Sequence, residues 1–457
     1  MLKDEKLDWL AERGANVAQF VSWGPDGSQR FSRILGIPNG HRFTSAGEAA
    51  TKIFENIETP SVNIRTFLPD KPDGNPFEYG LMNARIIEEK VAGYISRGFH
   101  VIINETIRVN DGGFSGVLLG YLMEGAPNET PRCVEKPGCM RLPRKLGFQL
   151  IQSVYGFHFH IPFAEDSRVE FSIHPHRVGY NKDFLVIWQE ETYQGQLPSS
   201  PKIFWPNKYS QVLGDKAFGL LIGDLIGIPV PQTTVFGRHI PQFTFGTPTN
   251  SGEPTWIRTA PKIQSPGQFT TRRGHDDPFA IMQQDDSDAT KIAAILFEDG
   301  VKAQYSGSAI TDNSGQLVVE GCKSYGDRFM VGMQSPEPLP ERVKQEVKFL
   351  SSRLREELGD IQLEWVYDGE KPWLLQLHIG RVETFQDIIY PGKPKRWITF
   401  GVEKGLEELR EFVCTIKNKN IGITLVGDVG LTSHFGDILR KEKIPSRLCS
   451  PKEKKKS

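Results

Sequence analysis

The stretch "GLTSHFGDILRKEKIPSR", residues 430–447, puts His434 at the start of a helix. Thr432 and Ser433 are helix-initiating residue types, and Phe435, Ile438 and Leu439 follow at helical spacing. Pro445 then bounds a helix of two or three turns. A neutral imidazole nitrogen is a competent nucleophile near neutral pH, and a helix N-terminus favours an anionic group. Such a histidine suits the transient holding of a phosphoryl group, with Thr432 and Ser433 adding a cap and hydroxyl donors. A second set of residues lies upstream. "LGDKAFGLLIGDLIGIPVPQTTVF" (213–236) places Lys216 at another helix start, a favourable setting for phosphate. Arg258 sits on a β-type run, "TWIRTA", and the arginine fork takes phosphate oxygens in pairs. "SPGQFTTRRG" (265–274) adds Arg272 and Arg273 on a loop that could close over a triphosphate. Glu364 and Gln376 lie twelve residues apart in "LEWVYDGEKPWLLQL". If Asp368 to Pro372 turns the chain, both face one side of a hairpin and offer a partial oxygen shell for Mg²⁺.

These residues need a scaffold, and internal self-similarity outlines one. "VNIRTF" with Arg65 parallels "TWIRTA" with Arg258. Ser115 in "GFSGVLLG" follows Arg65 by 50 residues, and Ser306 in "QYSGSAIT" follows Arg258 by 48. Glu105 precedes Ser115 by ten residues, and Glu298 precedes Ser306 by eight. "LPRKLGFQLIQSVYG" parallels "LPERVKQEVKFLSSRLREELG", whose Val343, Val347, Leu350, Leu354 and Leu358 mark an amphipathic helix. Paired strand runs close each copy, "RVEFSIHP" with "FLVIWQEE" and "IQLEWVYD" with "PWLLQLHI". The expected fold class is α+β: two related units, residues 1–200 and 201–384, then a small α/β domain over 385–457 with a basic tail. In the tail domain the sequence predicts a helix over 405–413, a strand over 422–430 and the His434 helix. Turn-rich linkers run over 194–202 and 390–396, the latter ("YPGKPKR") a hinge for a mobile tail. In the first unit "RGANVAQF" (13–20) offers Arg13 in place of the lysine turn, and Glu170 and Gln189 stand nineteen apart instead of twelve. His174 and His176 are two apart on a strand, which leaves a metal pair or satisfied core histidines as readings.

Residues 205–384 resemble the nucleotide-binding domain of the phosphoenolpyruvate synthase and pyruvate phosphate dikinase family, which has an ATP-grasp fold. The resemblance rests on "GDKAFGLLIGDLIGIPVP", "WIRTAPKIQSPGQFTT", "QYSGSAIT", "GDRFMVG" and the Glu364–Gln376 hairpin. It implies that Lys216 and Arg258 hold ATP phosphates and that Gln268, Glu298 and Asp327 belong to the nucleotide site. Glu298 would lie near the adenine hinge, and Glu364 and Gln376 would bind Mg²⁺. The stretch around His434 is similar to the family's phosphohistidine motif, so His434 matches the residue that carries phosphate between sites. The chain departs from the pattern in "SGSAITDNSG", which lacks a proline, at Glu298 in the hinge, and at His378, where the family has arginine.

The expected activity is an ATP-dependent, dikinase-type phosphotransfer through His434 to a small-molecule or protein acceptor. One alternative is an ATP-grasp ligase that forms an acyl phosphate. The other is a nucleotide-binding or partner-binding protein whose catalytic parts have decayed. A formal net charge of −1 over 457 residues gives no field for nucleic acid or anionic lipid. With 38% hydrophobic and 24% charged residues the composition is that of a globular protein. The charged N-terminus, the lack of a membrane-length apolar run and five cysteines without a CxxC pair fit a cytoplasmic setting.

Overall fold

A computed structural model describes the chain except residues 72–73, 159–165, 194, 196–202, 264–268, 270, 418 and 450–457, and except the side chain of Asp327. Two compact units emerge. The first comprises Met1–Phe148, His158–Pro201 and Asn207–Tyr209. The second comprises Gln149–Phe157, Lys202–Pro206 and Ser210–Ser457, so the His434 region belongs to it.

The first unit opens with helix α1 (Lys3–Glu12) and strands β1 (Phe20–Trp23) and β2 (Gln29–Arg33). Helix α2 (Ala46–Phe54), β3 (Val62–Phe67), β4 (Phe77–Leu81), α3 (Ala84–Ile95) and β5 (His100–Glu105) complete an antiparallel sheet of order β2-β1-β5-β3-β4. Ser45 caps α2 by accepting the Glu48 amide, and Ile53 and Ile87 from the two helices bury against Ile64 and Ile103 of the sheet. A second antiparallel sheet, β10-β9-β6-β7-β8, is built from β6 (Phe114–Leu119), β7 (Leu122–Pro127), β8 (Met140–Pro143), β9 (Ser167–Val178) and β10 (Asp183–Thr192). Helix α4 (Arg144–Tyr155) follows β8 in the chain.

In the second unit α5 (Lys208–Leu213) leads into α6 (Asp215–Leu225). An antiparallel sheet β12-β11-β15-β13-β14 follows, from β11 (Thr233–Gly237), β12 (Phe243–Phe245), β13 (Trp256–Pro261), β14 (Thr271–Arg273) and β15 (Ile292–Glu298), with α7 (Pro278–Asp285) before β15. The next sheet, β17-β16-β18-β19, uses β16 (Tyr305–Thr311), β17 (Leu317–Lys323), β18 (Ile361–Tyr367) and β19 (Pro372–Ile379). Between β17 and β18 come α8 (Asp327–Met330) and α9 (Glu341–Leu358). Helix α9 buries Val343, Val347, Leu350 and Leu354 on one stripe; Leu358 at its end is only half-buried.

The chain is therefore mixed α+β with antiparallel sheets, and the two units share a strand order. In each, the first sheet runs second-first-fifth-third-fourth strand. In each, the second sheet sets the closing hairpin beside the strand that carries Ser115 or Ser306. Register refines the sequence alignment. Arg65 pairs with Ile102 and Arg258 with Leu296, which puts Asn104, and not Glu105, at the register position that Glu298 holds in its own sheet. Glu170 pairs directly with Gln189, just as Glu364 pairs with Gln376. The nineteen-residue spacing reflects only how far β9 and β10 run on before they turn. Arg13 is not at a helix start. It is the C-cap residue of α1, and the helix-start lysine of this unit is Lys3.

The end of the second unit is a small sheet, β20-β23-β22-β21, from β20 (Ile388–Tyr390), β21 (Arg396–Gly401), β22 (Ile421–Val426) and β23 (Ser446–Leu448). β21, β22 and β23 are parallel neighbours, joined by α10 (Gly405–Ile416) and α11 (His434–Lys441). Leu409, Val413, Ile423, Leu425, Phe435 and Leu439 form its core. β21 and β23 escaped the sequence reading because each is short and half-polar. "YPGKPKR" lies between β20 and β21, inside this sheet, so the stretch that leads into the sheet is 380–387. His174 and His176 have different surroundings: His176 is exposed, whereas His174 is buried in a chain of contacts. His174 Nδ1 lies 2.6 Å from Asp111 Oδ2 and its Nε2 2.7 Å from Ser172 Oγ, which also accepts Trp188 Nε1. It is a satisfied core histidine. Among the described residues no helix is long and apolar enough to cross a membrane.

Candidate functional site

Helix α6 begins at Gly214, whose φ of +89° suits glycine and where a Cβ would lie 2.6 Å from the Ala260 Cβ. Gly219, further along the helix, meets β19 as closely: a Cβ would sit 2.3 Å from the Leu377 oxygen. These two glycines let the helix press onto β13 and β19, which brings Lys216 to their strands. Across from it, Asp368 makes the β18–β19 turn by accepting the amides of Glu370 and Lys371 at 2.7 and 2.8 Å and the Trp373 indole at 2.7 Å. The turn pairs Tyr367 with Pro372 and Trp365 with Leu374, and a one-residue register shift between Trp365 and Glu364 then sets Glu364 opposite Gln376, on one face of the sheet.

A cavity of about 500 Å³ within the second unit is lined by Lys216, Arg258, Glu364, Gln376, His378 and His434. Arg258 Nη1 donates to the Leu375 carbonyl at 3.1 Å and lies 3.9 Å from Glu364 Oε2. Its Nε stands 3.7 Å from Glu298 Oε1, yet it is buried without a hydrogen-bond partner, as is Glu298 Oε2. Among the described residues no carboxylate lies within ion-pair distance of Lys216. Burial pushes the Lys216 amine below its usual range and the Arg258 charge adds to this, with Glu364, Glu298 and Asp215 opposing. Under-partnered cations beside a carboxylate–amide pair fit a phosphate chain carrying a divalent cation.

The remaining placements are as follows. Gln376 Nε2 lies 2.8 Å from His378 Nε2, and His378 Nδ1 lies 2.9 Å from Asp215 Oδ2. The approach to Asp215 does not meet hydrogen-bond geometry, so the His378 ring is held through Gln376; where its Nε2 accepts from the Gln376 amide nitrogen, the amide oxygen is left for a cation. Glu298 is 1% exposed and sits beside Arg258, away from the cavity wall. Asp327 begins α8, and Gln268 lies outside the described residues. Arg272 and Arg273 are on β14, with Arg273 over the Trp256 ring at 4.3 Å. Among the described residues no group of three or more His, Cys, Asp or Glu side chains is arranged to hold a metal.

Burial also pushes the Glu298 carboxyl above its usual range, against the pull of Arg258. Its folded pKa is therefore the higher one. The associated stability is fully present below the unfolded value and is lost as pH rises through the folded one. Glu298→Gln mimics the protonated form. It is expected to melt above wild type near pH 8, with the gap closing toward pH 4, in thermal melts of the ligand-free chain. An equal or lower melting temperature near pH 8 would show that the Arg258 pairing outweighs burial.

His434 is the first residue of α11, with a side chain 19% exposed at the cavity. Its Nδ1 lies 3.4 Å from Asp437 Oδ2, and Asp437 Oδ1 accepts Arg440 Nη2 at 2.7 Å. Burial raises the Asp437 pKa, but His434 and Arg440 more than offset this and hold the carboxyl below its usual range. An ionised Asp437 orients Nδ1–H toward itself, which leaves the Nε2 lone pair available. The hydroxyls expected to serve this helix start are engaged elsewhere. Ser433 occupies the cap position, but its Oγ donates to the Gly430 carbonyl at 2.8 Å. Thr432 donates through both its amide and its Oγ1 to Glu320 Oε2, each at 2.9 Å. Phe435 packs on Gly332, where a Cβ would lie 2.8 Å from the ring. Helix α11 ends at Lys441, short of Pro445.

The sequence reading did not single out Asp215, Glu320, Arg328 or Asp437. Asp437 was within reach, being three residues after His434 on the same helix face. Glu320 and Arg328, the latter on the cavity wall, left no local signal, because tertiary contact alone gives them their place.

No protein-family model matches the sequence, and no curated protein matches it. Solved structures match in part. The D-alanine–D-alanine ligase of Helicobacter pylori is 10% identical, with 38% of this chain and 53% of that one covered and a TM-score of 0.25. A RimK-domain ATP-grasp protein from Sphaerobacter thermophilus DSM 20745 is 17% identical, with 37% and 60% covered and a TM-score of 0.24. An N5-carboxyaminoimidazole ribonucleotide synthetase in complex with ADP is 12% identical, with 34% and 42% covered and a TM-score of 0.22. The chain thus spans less than two thirds of each, and at these TM-scores the likeness establishes neither fold family nor activity.

Proposed function

We propose that the second unit binds ATP with Mg²⁺ in the cavity beside Lys216 and transfers a phosphoryl group from it, with His434 as the first acceptor. The observation that carries this reading is the convergence of His434 with Lys216, Arg258, Glu364 and Gln376 on one cavity wall. Lys216 and Arg258 would take phosphate oxygens and neutralise charge on the leaving group. Glu364 and the Gln376 oxygen would hold the magnesium ion, which supplies further charge neutralisation to the phosphates. The Nε2 lone pair of His434 forms the new N–P bond while the bond from that phosphorus to the departing phosphate oxygen breaks and leaves its electron pair there. Asp437 stabilises the imidazolium that results. Attack at the β phosphorus expels AMP and leaves a pyrophosphoryl group on His434; water then takes the outer phosphoryl group as inorganic phosphate, and the remaining one passes from His434 to a small-molecule or protein acceptor. The shared strand order supports reading the two units as copies of one ATP-grasp-like design, and His434 at the start of α11 on the cavity wall supports reading the terminal α/β sheet as the phosphohistidine-type domain.

A ligase that forms an acyl phosphate would use the same nucleotide groups. It has no use for His434. Incubation with ATP labelled at the β or γ phosphorus separates the two. Acid-labile, base-stable label on the protein with AMP release supports His434 as acceptor. ADP formation that is indifferent to His434→Ala supports the ligase. Binding without turnover supports a nucleotide-binding protein that has lost catalysis.

The Thr432 contacts give a further check. Glu320→Ala strands the buried Thr432 amide and hydroxyl, at a cost of about 2–3 kcal/mol. The expected result is a lower unfolding midpoint in denaturant and reduced labelling of His434. Glu320→Gln keeps an acceptor oxygen and should recover most of both. Unchanged unfolding of the alanine variant would mean that Thr432 is held by its own loop.

A further inference from the structure

The first unit encloses a cavity of about 540 Å³ of its own, with Lys3, Arg65, Arg168, Glu170 and Gln189 on its wall. Arg65 repeats the placement of Arg258. Its Nη1 donates to the carbonyl of Trp188, the residue before Gln189, as Arg258 Nη1 does to Leu375 before Gln376. The two sites differ in what their acidic pair does. Arg65 Nη1 also donates to Glu170 Oε2 and Gln189 Oε1, both at 3.2 Å. The second Glu170 oxygen accepts Arg168 Nη1 at 3.0 Å. Each oxygen that could hold a divalent cation thus already carries a guanidinium, and a cation there would face two like charges at close range. In the second unit Glu364 is 3.9 Å from its nearest cation and remains available.

Positive charge is in surplus on this wall. Four cations, Lys3, Arg65, Arg132 and Arg168, meet three carboxylates, Glu135, Glu170 and Glu191. Arg132 is exposed and rests over the Phe77 ring at 4.4 Å, with no carboxylate in ion-pair range among the described residues. Arg65 is 9% exposed, and its Nε is buried without a partner. An arginine fork with an unused donor, a free second arginine and a roomy cavity suit the oxygens of a phosphate group.

We infer that the first unit carries a second site, for a phosphate-bearing ligand taken up without magnesium. This goes beyond the activity proposed for the second unit and needs neither His434 nor turnover. Burial disfavours the Arg65 cation; Glu170 counters this, and the like charges of Arg132 and Arg168 add to it, so a bound anion would offset that cost.

Equilibrium dialysis of the full chain in excess EDTA tests the site, with ATP and inorganic tripolyphosphate as separate probes. Binding of at least one of them is expected without metal and should persist in Lys216→Ala, which disables the other cavity. Arg132→Glu should weaken it by about tenfold or more while melting like wild type, since Arg132 is exposed. Binding of both probes assigns the site to a polyphosphate group, and binding of ATP alone assigns it to a nucleotide. Absence of metal-free binding by both would overturn the inference. So would metal-free binding that is lost in Lys216→Ala and kept in Arg132→Glu.

Discussion

His434→Asn is expected to carry no acid-labile label after incubation with β- or γ-labelled ATP, and to turn nucleotide over at least about 10³-fold more slowly than wild type. Asparagine keeps a polar group of similar reach but has no lone pair on a basic nitrogen. The polar contact that the structure gives the ring is the 3.4 Å approach to Asp437, which keeps its Arg440 partner, so the variant should stay folded with a loss of about 1 kcal/mol in unfolding free energy. Loss of label with an intact fold therefore reports on the nucleophile alone. Asp437→Asn separates attack from orientation. An amide in place of the carboxylate no longer fixes Nδ1–H or stabilises the imidazolium, so label should appear about 10²-fold more slowly yet reach the same final stoichiometry. Label that survives His434→Asn in full would place the acceptor elsewhere and leave the ligase reading in possession of the site.

What could be read in the chain beforehand follows from how locally each feature is encoded. The Glu364–Gln376 hairpin announces itself through its Asp-Gly turn and flanking strand runs, although a register shift between Glu364 and Trp365, which spacing does not show, completes the pairing. The helix of Lys216 carries its glycines and its terminating Gly227–Pro229 in one short stretch. The first unit resisted the same counting because β9 and β10 extend past the Glu170–Gln189 pair, which hides a cross-strand partnership behind a longer spacing. Its lysine is hidden for a similar reason: the turn with the motif's glycine follows α1 at Arg13, whereas the helix starts ten residues earlier, at Lys3. The glutamate pairing slipped by one residue, a shift that register exposes and sequence spacing does not, since Asn104 and Glu105 are adjacent in β5. The Asp215–His378–Gln376 contacts join the start of α6 to the end of β19, and no local pattern encodes that approach. His378 Nε2, 2.8 Å from the Gln376 amide nitrogen, is the contact that can hold that amide's orientation.

That orientation makes the second large effect specific. Glu364→Gln should raise the magnesium concentration for half-maximal ATP binding by about 10²-fold, because it removes the one negative charge of the carboxylate–amide pair. The glutamate side chain is 20% exposed and its nearest cation is Arg258 Nη1 at 3.9 Å, so the substitution breaks no hydrogen bond and the fold should tolerate it. His378→Ala should act in the same direction and more weakly, by about tenfold, since it frees the Gln376 amide to rotate its oxygen away. The two variants part company at saturating magnesium. His378→Ala should recover wild-type turnover once the cation is forced on, whereas Glu364→Gln should stay slow because a neutral amide cannot keep the ion where the phosphates need it. Equal magnesium dependence in wild type and Glu364→Gln, with ATP binding still lost in Lys216→Ala, would keep the nucleotide in this cavity but move the cation off the hairpin. The paired Glu364 and Gln376 would then be a strand face whose polarity serves Arg258 alone.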